Sequence, residues 1–151
     1  MSRSELAIFT NMCWIENPSG YVLVQDRQKK EWPGVTFPGG HVEKEESFHQ
    51  SVIREVQEET GLTIEHPVLC GVKQFQTSMK ERYVVLCYKA KKFSGELRGS
   101  EEGDVFWVDP AKLSQYPLAR DFDKMLPLFL DESTSEFFYE QHGDQVIDRI
   151  Y

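Results

Sequence analysis

The segment GHVEKEESFHQSVIREVQEETGL, residues 40–62, decides the fold of this chain. Ser47 and Gln50 are spaced like the N-cap residue and the third helical residue of a capping box. Apolar residues follow at helical intervals, at Phe48, Val52, Ile53 and Val56. Gly61 suits the left-handed conformation in which many helices end. The segment therefore predicts a helix that begins after Ser47 and ends at Gly61.

Three glutamates of this predicted helix share one face. Glu55, Glu58 and Glu59 are spaced i, i+3 and i+4, and they repel one another near the helix C-terminus, where negative charge is unfavourable. They form either a solvated acidic face or a site for a hard cation such as Mg2+, which takes carboxylate oxygens and keeps several waters. Spacing alone favours the solvated face.

The residues that precede the helix favour a cation site over a solvated acidic face. Residues 35–37 predict a short extended piece, which runs into Pro38, Gly39 and Gly40. Glycines let the backbone come close to a ligand and leave carbonyl oxygens accessible. A strand, a glycine turn and an acid-rich helix in this order can hold Mg2+ bridged to phosphate oxygens.

The whole segment resembles the Nudix box, whose pattern is G, five residues, E, seven residues and REUxEExGU, with U an aliphatic residue. Every fixed position is filled, by Gly40, Glu46, Arg54, Glu55, Val56, Glu58, Glu59, Gly61 and Leu62. The chain resembles the Nudix hydrolases, and its short length resembles their MutT-like group. This resemblance implies an α/β (α+β) fold, the Nudix α/β/α sandwich with a mixed sheet. It also implies Mg2+-dependent (or Mn2+-dependent) hydrolysis of a phosphoanhydride bond in a nucleoside diphosphate linked to another group.

The same resemblance implies a set of metal ligands. Glu58 and Glu59 correspond to the main ligands, and the carbonyl of Gly40 is a further ligand. Glu46 either takes part in the metal site or supports the loop and the helix.

Two further roles follow from the resemblance. Glu55 is either a metal ligand or the general base that takes a proton from the attacking water. Arg54 then orients Glu55 by a charge-assisted hydrogen bond. The glutamate that activates water varies within the family, so Glu58 remains a second catalytic candidate.

Charged residues outside the box have two interpretations each. Glu101 and Glu102 lie in a region where many Nudix proteins place another metal-binding or basic carboxylate, and the alternative is a solvated loop acid; Glu102 is taken as the metal candidate. The box is preceded by three basic residues, Arg27, Lys29 and Lys30. They form a charged surface loop, which is the favoured interpretation, or they contact phosphates, with Arg27 as the candidate.

Candidate contacts to the base lie on both sides of the box. Trp32 and Phe37 are either core residues, which is favoured, or aromatic rings on which a base stacks, with Phe37 as the candidate. Arg120 and Asp121 correspond to a position that reads the purine edge in MutT-type enzymes. The alternative for Asp121, which is favoured, is the N-cap of a second helix.

The sequence after the box bears on the substrate. The proline typical of ADP-ribose pyrophosphatases is absent at residues 75–77, and the tyrosine of dinucleoside-polyphosphate hydrolases is absent at residues 77–79. We therefore expect a (deoxy)nucleoside triphosphate such as 8-oxo-dGTP, cleaved to a monophosphate and pyrophosphate. The alternatives are another Nudix substrate (ADP-ribose, a nucleotide sugar or a dinucleoside polyphosphate), a catalytically silent nucleotide-binding regulator, or an RNA-end processing hydrolase.

The charge and cysteine content of the chain limit the kinds of partner and metal that it is expected to bind. A net charge of -8 disfavours binding to a nucleic acid polymer and permits a free nucleotide. The three cysteines form no CxxC pair, which predicts free thiols rather than a zinc site. Neither a signal-peptide core nor a membrane-spanning run is present, so we expect a cytoplasmic protein that does not bind membranes.

The remaining elements are predicted from alternation and turn signals. Strands at residues 6–15 and 21–25 are expected to form a hairpin, and a second helix at residues 121–130 is expected to be kinked or shortened at Pro127. Further strands are expected at residues 67–75, 83–89 and 105–108. The 151 residues fit a single Nudix domain, 1–151, with a C-terminal hairpin extension at 133–151.

Overall fold

The computed structural model describes residues 2–151. The strands are β1 (Ala7–Ile15), β2 (Val22–Arg27), β3 (Gly34–Thr36), β4 (Thr63–Glu65), β5 (Val68–Gln76), β6 (Arg82–Ala90), β7 (Lys92–Ser94), β8 (Gly103–Val108), β9 (Glu136–His142) and β10 (Gln145–Ile150). The helices are α1 (Phe48–Thr60), α2 (Phe122–Met125) and α3 (Pro127–Leu130), and Pro110–Gln115 forms a 3-10 helix.

The main sheet is mixed, as the sequence predicted. Its strand order is β1-β6-β5-β9-β10. The pairs β1/β6 and β5/β9 are parallel, and the pairs β5/β6 and β9/β10 are antiparallel. A smaller antiparallel sheet has the order β3-β2-β8, and β4 pairs with β7.

Helices cover both faces of the main sheet, and the side chains of its strands alternate between two cores, as β1 shows. Successive residues of a strand point to opposite faces. In β1, Met12 and Trp14 pack in the core that contains the phenylalanines of α2 and α3. Cys13 and Ile15 pack in the core that contains the valines of α1. This arrangement is the α+β sandwich that the sequence predicted.

Helix α1 has the predicted ends. The Ser47 side chain accepts from the Gln50 N–H at 2.9 Å, and the Gln50 side chain accepts from the Ser47 N–H at 3.3 Å. Gly61 follows the helix with a φ of 80°. A Cβ at Gly61 would lie 2.3 Å from the Glu96 carbonyl oxygen, so the position requires glycine for space as well as for conformation.

The predicted hairpin of β1 and β2 is wrong. The two strands meet only at a bridge between Glu16 and Val22, and β2 pairs with β3 and β8 instead. One edge of β1 is paired with β6 along its whole length. The other edge donates from Asn11 and Cys13 to the carbonyls of Gly40 and Pro38. Because both edges are taken, β2 has no edge of β1 to pair with.

Residues 121–151 contain the predicted second helix and hairpin, with one further pairing, between β9 and β5. The second helix is split at Pro127 into α2 and α3, as the proline predicted. Strands β9 and β10 form an antiparallel hairpin, and β9 also pairs in parallel with β5, so this segment belongs to the main sheet.

No helix of the described residues has both the length and the apolar character needed to cross a membrane. Cys13, Cys70 and Cys87 are free thiols.

Candidate functional site

One cavity of about 990 Å³ lies on the side of the main sheet that faces α2. Its acidic end is lined by Gly39, Gly40, Glu55, Glu59 and Glu102. Its aromatic end is lined by Trp32, Lys73, Phe75, Asp121 and Tyr139. The cavity thus joins oxygen ligands to flat apolar surfaces.

The glycine turn at the acidic end is fixed by β1. The Asn11 N–H donates to the Gly40 carbonyl at 2.8 Å, and the Asn11 side-chain carbonyl accepts from the Gly40 N–H at 3.0 Å. Asn11 also donates to the Ser51 hydroxyl of α1 at 2.9 Å. A Cβ at Gly40 would lie 2.2 Å from a Glu55 carboxylate oxygen, so only glycine permits this approach. Sequence reasoning missed Asn11, because its role depends on contacts that only the folded chain makes.

Glu59 is the most buried acid of the site. It is 6% exposed, and its carboxylate accepts from the Gly39 N–H at 3.2 Å. Burial, together with the charges of Glu55 and Glu102, raises the pKa of Glu59 to about 7 against the opposing hydrogen bond from the Gly39 N–H. Burial also raises the pKa of Glu55, while its hydrogen bond to Arg54 lowers it. These carboxylates repel one another in the absence of a cation.

Arg54 contacts three of the box glutamates. Its guanidinium donates to both carboxylate oxygens of Glu46, at 2.7 and 3.0 Å, and to Glu55 at 3.0 Å and Glu58 at 3.2 Å. It also donates to the His41 carbonyl at 3.0 Å. The hydrogen bonds from Arg54 and from the Glu43 N–H hold the pKa of Glu46 at about 2. Glu46 therefore supports the turn before α1 through Arg54.

The acidic end fits a hard divalent cation. Within residues 2–151, no three acidic, histidine or cysteine side chains converge closely enough to enclose an ion by themselves. Mg2+ does not require such an enclosure, because it keeps several waters and binds through one or two carboxylates together with substrate phosphates. Glu55 and Glu59 line the cavity, whereas the side chain of Glu58 is 56% exposed and pairs with Arg54.

Of the charged candidates outside the box, Glu102 and Arg27 line the cavity, whereas Glu101 does not. Glu102 lines the cavity and pairs with Lys29 at 2.8 Å, whereas Glu101 is exposed and does not line it. Arg27 also lines the cavity, and its guanidinium donates to the carbonyls of Trp32 at 3.0 Å and Glu31 at 3.3 Å. Arg27 therefore holds the loop that carries Trp32.

The two candidate stacking rings have different surroundings. Phe37 is 2% exposed and packs edge-on against Trp14, Phe122 and Phe129, which leaves little of its face open to a ligand. This packing favours the core interpretation of Phe37. Trp32 is half-buried at the cavity wall, and its indole N–H donates to the Arg120 carbonyl at 2.6 Å.

Asp121 occupies the N-cap position of α2 without capping the helix. Its φ is 62°, and no side-chain hydrogen bond to the helix is formed, so the N-cap hypothesis was wrong about the side chain. The carboxylate instead accepts from the Tyr139 hydroxyl at 2.6 Å and pairs with Lys124 at 3.2 Å. Asp121 and the exposed Arg120 both line the cavity.

Lys73 is a cavity residue that the sequence analysis did not single out. It is 6% exposed, on the same face of β5 as Phe75. Its ammonium lies near four aromatic rings, at 4.9 Å from the centroid of Tyr139. The available signal was a lysine at a core-facing position of an alternating strand.

Comparison with known proteins agrees with the fold and the box. A family model of the NUDIX domain matches residues 10–129. The chain is 31% identical over 112 residues to the Nudix hydrolase YvcI of Bacillus subtilis, covering 71% of this chain and 69% of that protein. It is 32% identical over 118 residues to the CTP pyrophosphohydrolase of Escherichia coli, covering 77% and 86%. The crystal structure of a mutator MutT protein from Bacillus halodurans superposes with a TM-score of 0.75 at 23% identity, covering 95% of this chain and 97% of that one, which shows a shared fold.

Proposed function

Because the chain belongs to the NUDIX domain family and is a Nudix hydrolase of nucleotide-linked diphosphates, we propose that its substrate is a (deoxy)nucleoside triphosphate. The products are a nucleoside monophosphate and pyrophosphate, and 8-oxo-dGTP is one candidate. The observation that carries this proposal is the single cavity that joins an acidic end to an aromatic end. The name of the Escherichia coli relative, a CTP pyrophosphohydrolase, supports a triphosphate.

The acidic end receives the phosphates in this proposal. Glu59 and the Gly40 carbonyl would hold the Mg2+ or Mn2+ ion, and Glu102, which lines the same cavity, and Glu58, which precedes Glu59 in α1, are further candidate ligands. The bound cation supplies charge neutralisation at the diphosphate. Arg27 faces the same end and adds positive charge for the phosphate oxygens.

Glu55 is the proposed general base. Its carboxylate is held at 3.0 Å by Arg54, so its position does not depend on the ligand. Burial raises its pKa, which makes it a better proton acceptor than an exposed glutamate. Glu55 takes the proton of the attacking water, while Glu58 pairs with the same guanidinium and limits its movement.

The aromatic end receives the nucleobase of the substrate. Trp32 and Phe75 offer ring surfaces for stacking, because both line the cavity and neither is fully buried. Arg120 and Asp121 lie at the same end and offer a donor and an acceptor to the base edge.

The test is chromatographic separation of the substrate and its hydrolysis products across a nucleotide panel with Mg2+, for wild type beside Glu59→Gln and Glu101→Gln. The panel contains the (d)NTPs, 8-oxo-dGTP, ADP-ribose, a nucleotide sugar and a dinucleoside polyphosphate. We expect triphosphates to turn over best, Glu59→Gln to lose about 100-fold or more, and the exposed Glu101→Gln control to match wild type. Preference for ADP-ribose or a dinucleotide would overturn the triphosphate proposal. Binding without any turnover would favour a nucleotide-binding regulator.

A further inference from the structure

The ammonium of Lys73 has no hydrogen-bond or ion-pair partner within residues 2–151, although Lys73 is 6% exposed. Lys89 makes the contrast clear. It also lies over an aromatic ring, at 5.1 Å from Trp14, but its ammonium donates to the Phe129 carbonyl at 2.6 Å. A lysine ammonium has three N–H donors and no acceptor, so Lys73 has donors to offer.

Four rings surround this ammonium and define an aromatic cage. The distances from Nζ to the ring centroids are 5.7 Å for Trp32, 5.8 Å for Phe75, 5.7 Å for Phe137 and 4.9 Å for Tyr139. The ring faces stabilise the cation but do not replace N–H···O hydrogen bonds. Because Lys73 lines the cavity, a ligand bound there can replace water as the acceptor of its N–H donors.

The nearest acid does not satisfy Lys73 either. Asp121 is the largest charged influence on the lysine, and it raises the pKa that burial lowers. Its carboxylate already contacts Tyr139 and Lys124 and lies beyond ion-pair distance of Lys73. The cavity therefore presents an unpaired donor, Lys73, near an acceptor, Asp121. Such an uncompensated group in a cleft marks a functional position.

The place of Lys73 in the cavity indicates which part of a nucleotide it meets. Trp32, at the aromatic end, is near both cations, with the Arg27 guanidinium and the Lys73 ammonium each 5.7 Å from its ring centroid. The charge of Arg27 lowers the pKa of Glu59 at the acidic end, whereas the ammonium of Lys73 lies in the aromatic cage. If the phosphates occupy the acidic end, as the proposed function on which this inference rests requires, the base lies beside Lys73.

We propose that Lys73 is a specificity-determining residue that donates a hydrogen bond to an exocyclic carbonyl oxygen of the base. Asp121 accepts from the ring N–H beside that carbonyl, so the pair reads a lactam edge. Guanine, 8-oxoguanine and uracil present such an edge. Adenine presents an amino group, which would set a donor against a donor and leave both unpaired.

Inosine and purine riboside nucleotides test this edge, because purine riboside lacks both the carbonyl oxygen that accepts from Lys73 and the ring N–H that donates to Asp121. We would measure kcat/KM for the two triphosphates and Kd for the two monophosphates, with wild type, Lys73→Met and Lys89→Met. Wild type should favour inosine in both measurements by roughly 10- to 100-fold, the range of one hydrogen bond to a charged group. Lys73→Met should lose the part of that ratio that the carbonyl contact contributes, while the control Lys89→Met keeps the whole ratio.

Each alternative result has a distinct meaning. An equal loss for both nucleotides in Lys73→Met, or no inosine preference in wild type, would overturn the role of Lys73. A base preference in Kd without hydrolysis of any triphosphate would support that role and contradict the proposed hydrolysis. The monophosphate measurement needs no turnover, so the two proposals fail separately.

Discussion

Single residues of the cavity combine burial with charge, and Lys73 does so most strongly. Methionine keeps the length of its side chain and removes an ammonium that the free protein leaves unpaired. We expect Lys73→Met to raise the free energy of unfolding by at most about 1 kcal/mol, because burial disfavours the charged lysine while water in the cavity and the ring faces partly stabilise its ammonium. The melting temperature should rise by roughly 2–4 °C per kcal/mol in thermal unfolding followed by circular dichroism. A lower melting temperature would show that the cage holds the lysine for stability.

The same lysine makes stability depend on pH in a defined direction. Burial lowers the pKa of Lys73 below its ordinary value of 10.5. Between the lowered pKa and 10.5, the unfolded chain binds a proton that the folded protein has released, so stability rises with pH. The advantage of Lys73→Met over wild type should therefore shrink as pH rises from 7 toward 10. The charged and titratable groups that face Lys73 are present in both proteins; they are Cys87, Arg120, Asp121, Tyr139 and Asp148.

Arg54 carries the second prediction for a single residue. Lysine keeps the charge of arginine but cannot donate to Glu46, Glu55 and Glu58 at once. We expect Arg54→Lys to lower kcat roughly 10- to 100-fold, since hydrogen bonds between charged groups contribute about 1.5–3 kcal/mol. Arg149→Lys, in a surface pair with Glu140, is the matched control and should keep wild-type kcat. Unchanged kcat in Arg54→Lys would remove the orienting role of Arg54.

Among the elements, α1 is the one whose ends can be tested directly. Ser47→Ala removes the acceptor of the Gln50 N–H and leaves a helix N–H without its partner. We expect a loss of about 1 kcal/mol in the free energy of unfolding, measured by urea titration. Ser19→Ala, in an exposed turn, should change it by less than about 0.5 kcal/mol. An equal effect of both substitutions would contradict the capping box.

Helix α1 was predictable because its signals are local. The capping box, the apolar stripe and Gly61 all act within the helix and its ends, and the structure has each of them. The pairing of β1 with β2 was not predictable in the same way. Strand pairing depends on which edges are free, and both edges of β1 are occupied by residues far along the chain.

The site divides along the same line. The box glutamates were identified from the resemblance to the Nudix box, since their spacing alone favoured a solvated face, whereas the choice between Glu101 and Glu102 needed the position of β8 relative to the cavity. Lys73 was missed because a lysine in a strand is usually solvated, and its burial arises only when β9 brings Phe137 and Tyr139 beside it. Local patterns therefore predicted the acidic end, and tertiary contacts determine the aromatic end.

At the scale of the whole molecule, the cavity depends on both ends of the chain. Strand β1 and the glycine turn form its acidic wall, and β9 and β10 contribute Phe138, Tyr139, Val146 and Asp148 to the opposite wall. The Tyr139 hydroxyl joins this hairpin to Asp121 before α2. The C-terminal hairpin thus completes the proposed base site.

Two truncations separate the contributions of the hairpin strands to folding and to the site. A chain ending at residue 132 lacks β9, including Phe137, which is 2% exposed and whose loss alone costs about 3–5 kcal/mol. Since domains are stable by only about 5–15 kcal/mol, we expect no cooperative thermal transition from this chain. A chain ending at residue 142 keeps β9 and loses β10, whose residues are all exposed, so it should fold and show a raised KM because Val146 and Asp148 no longer line the cavity. Wild-type folding and KM in the shorter chain would show that the hairpin is an accessory to the domain and no part of the site.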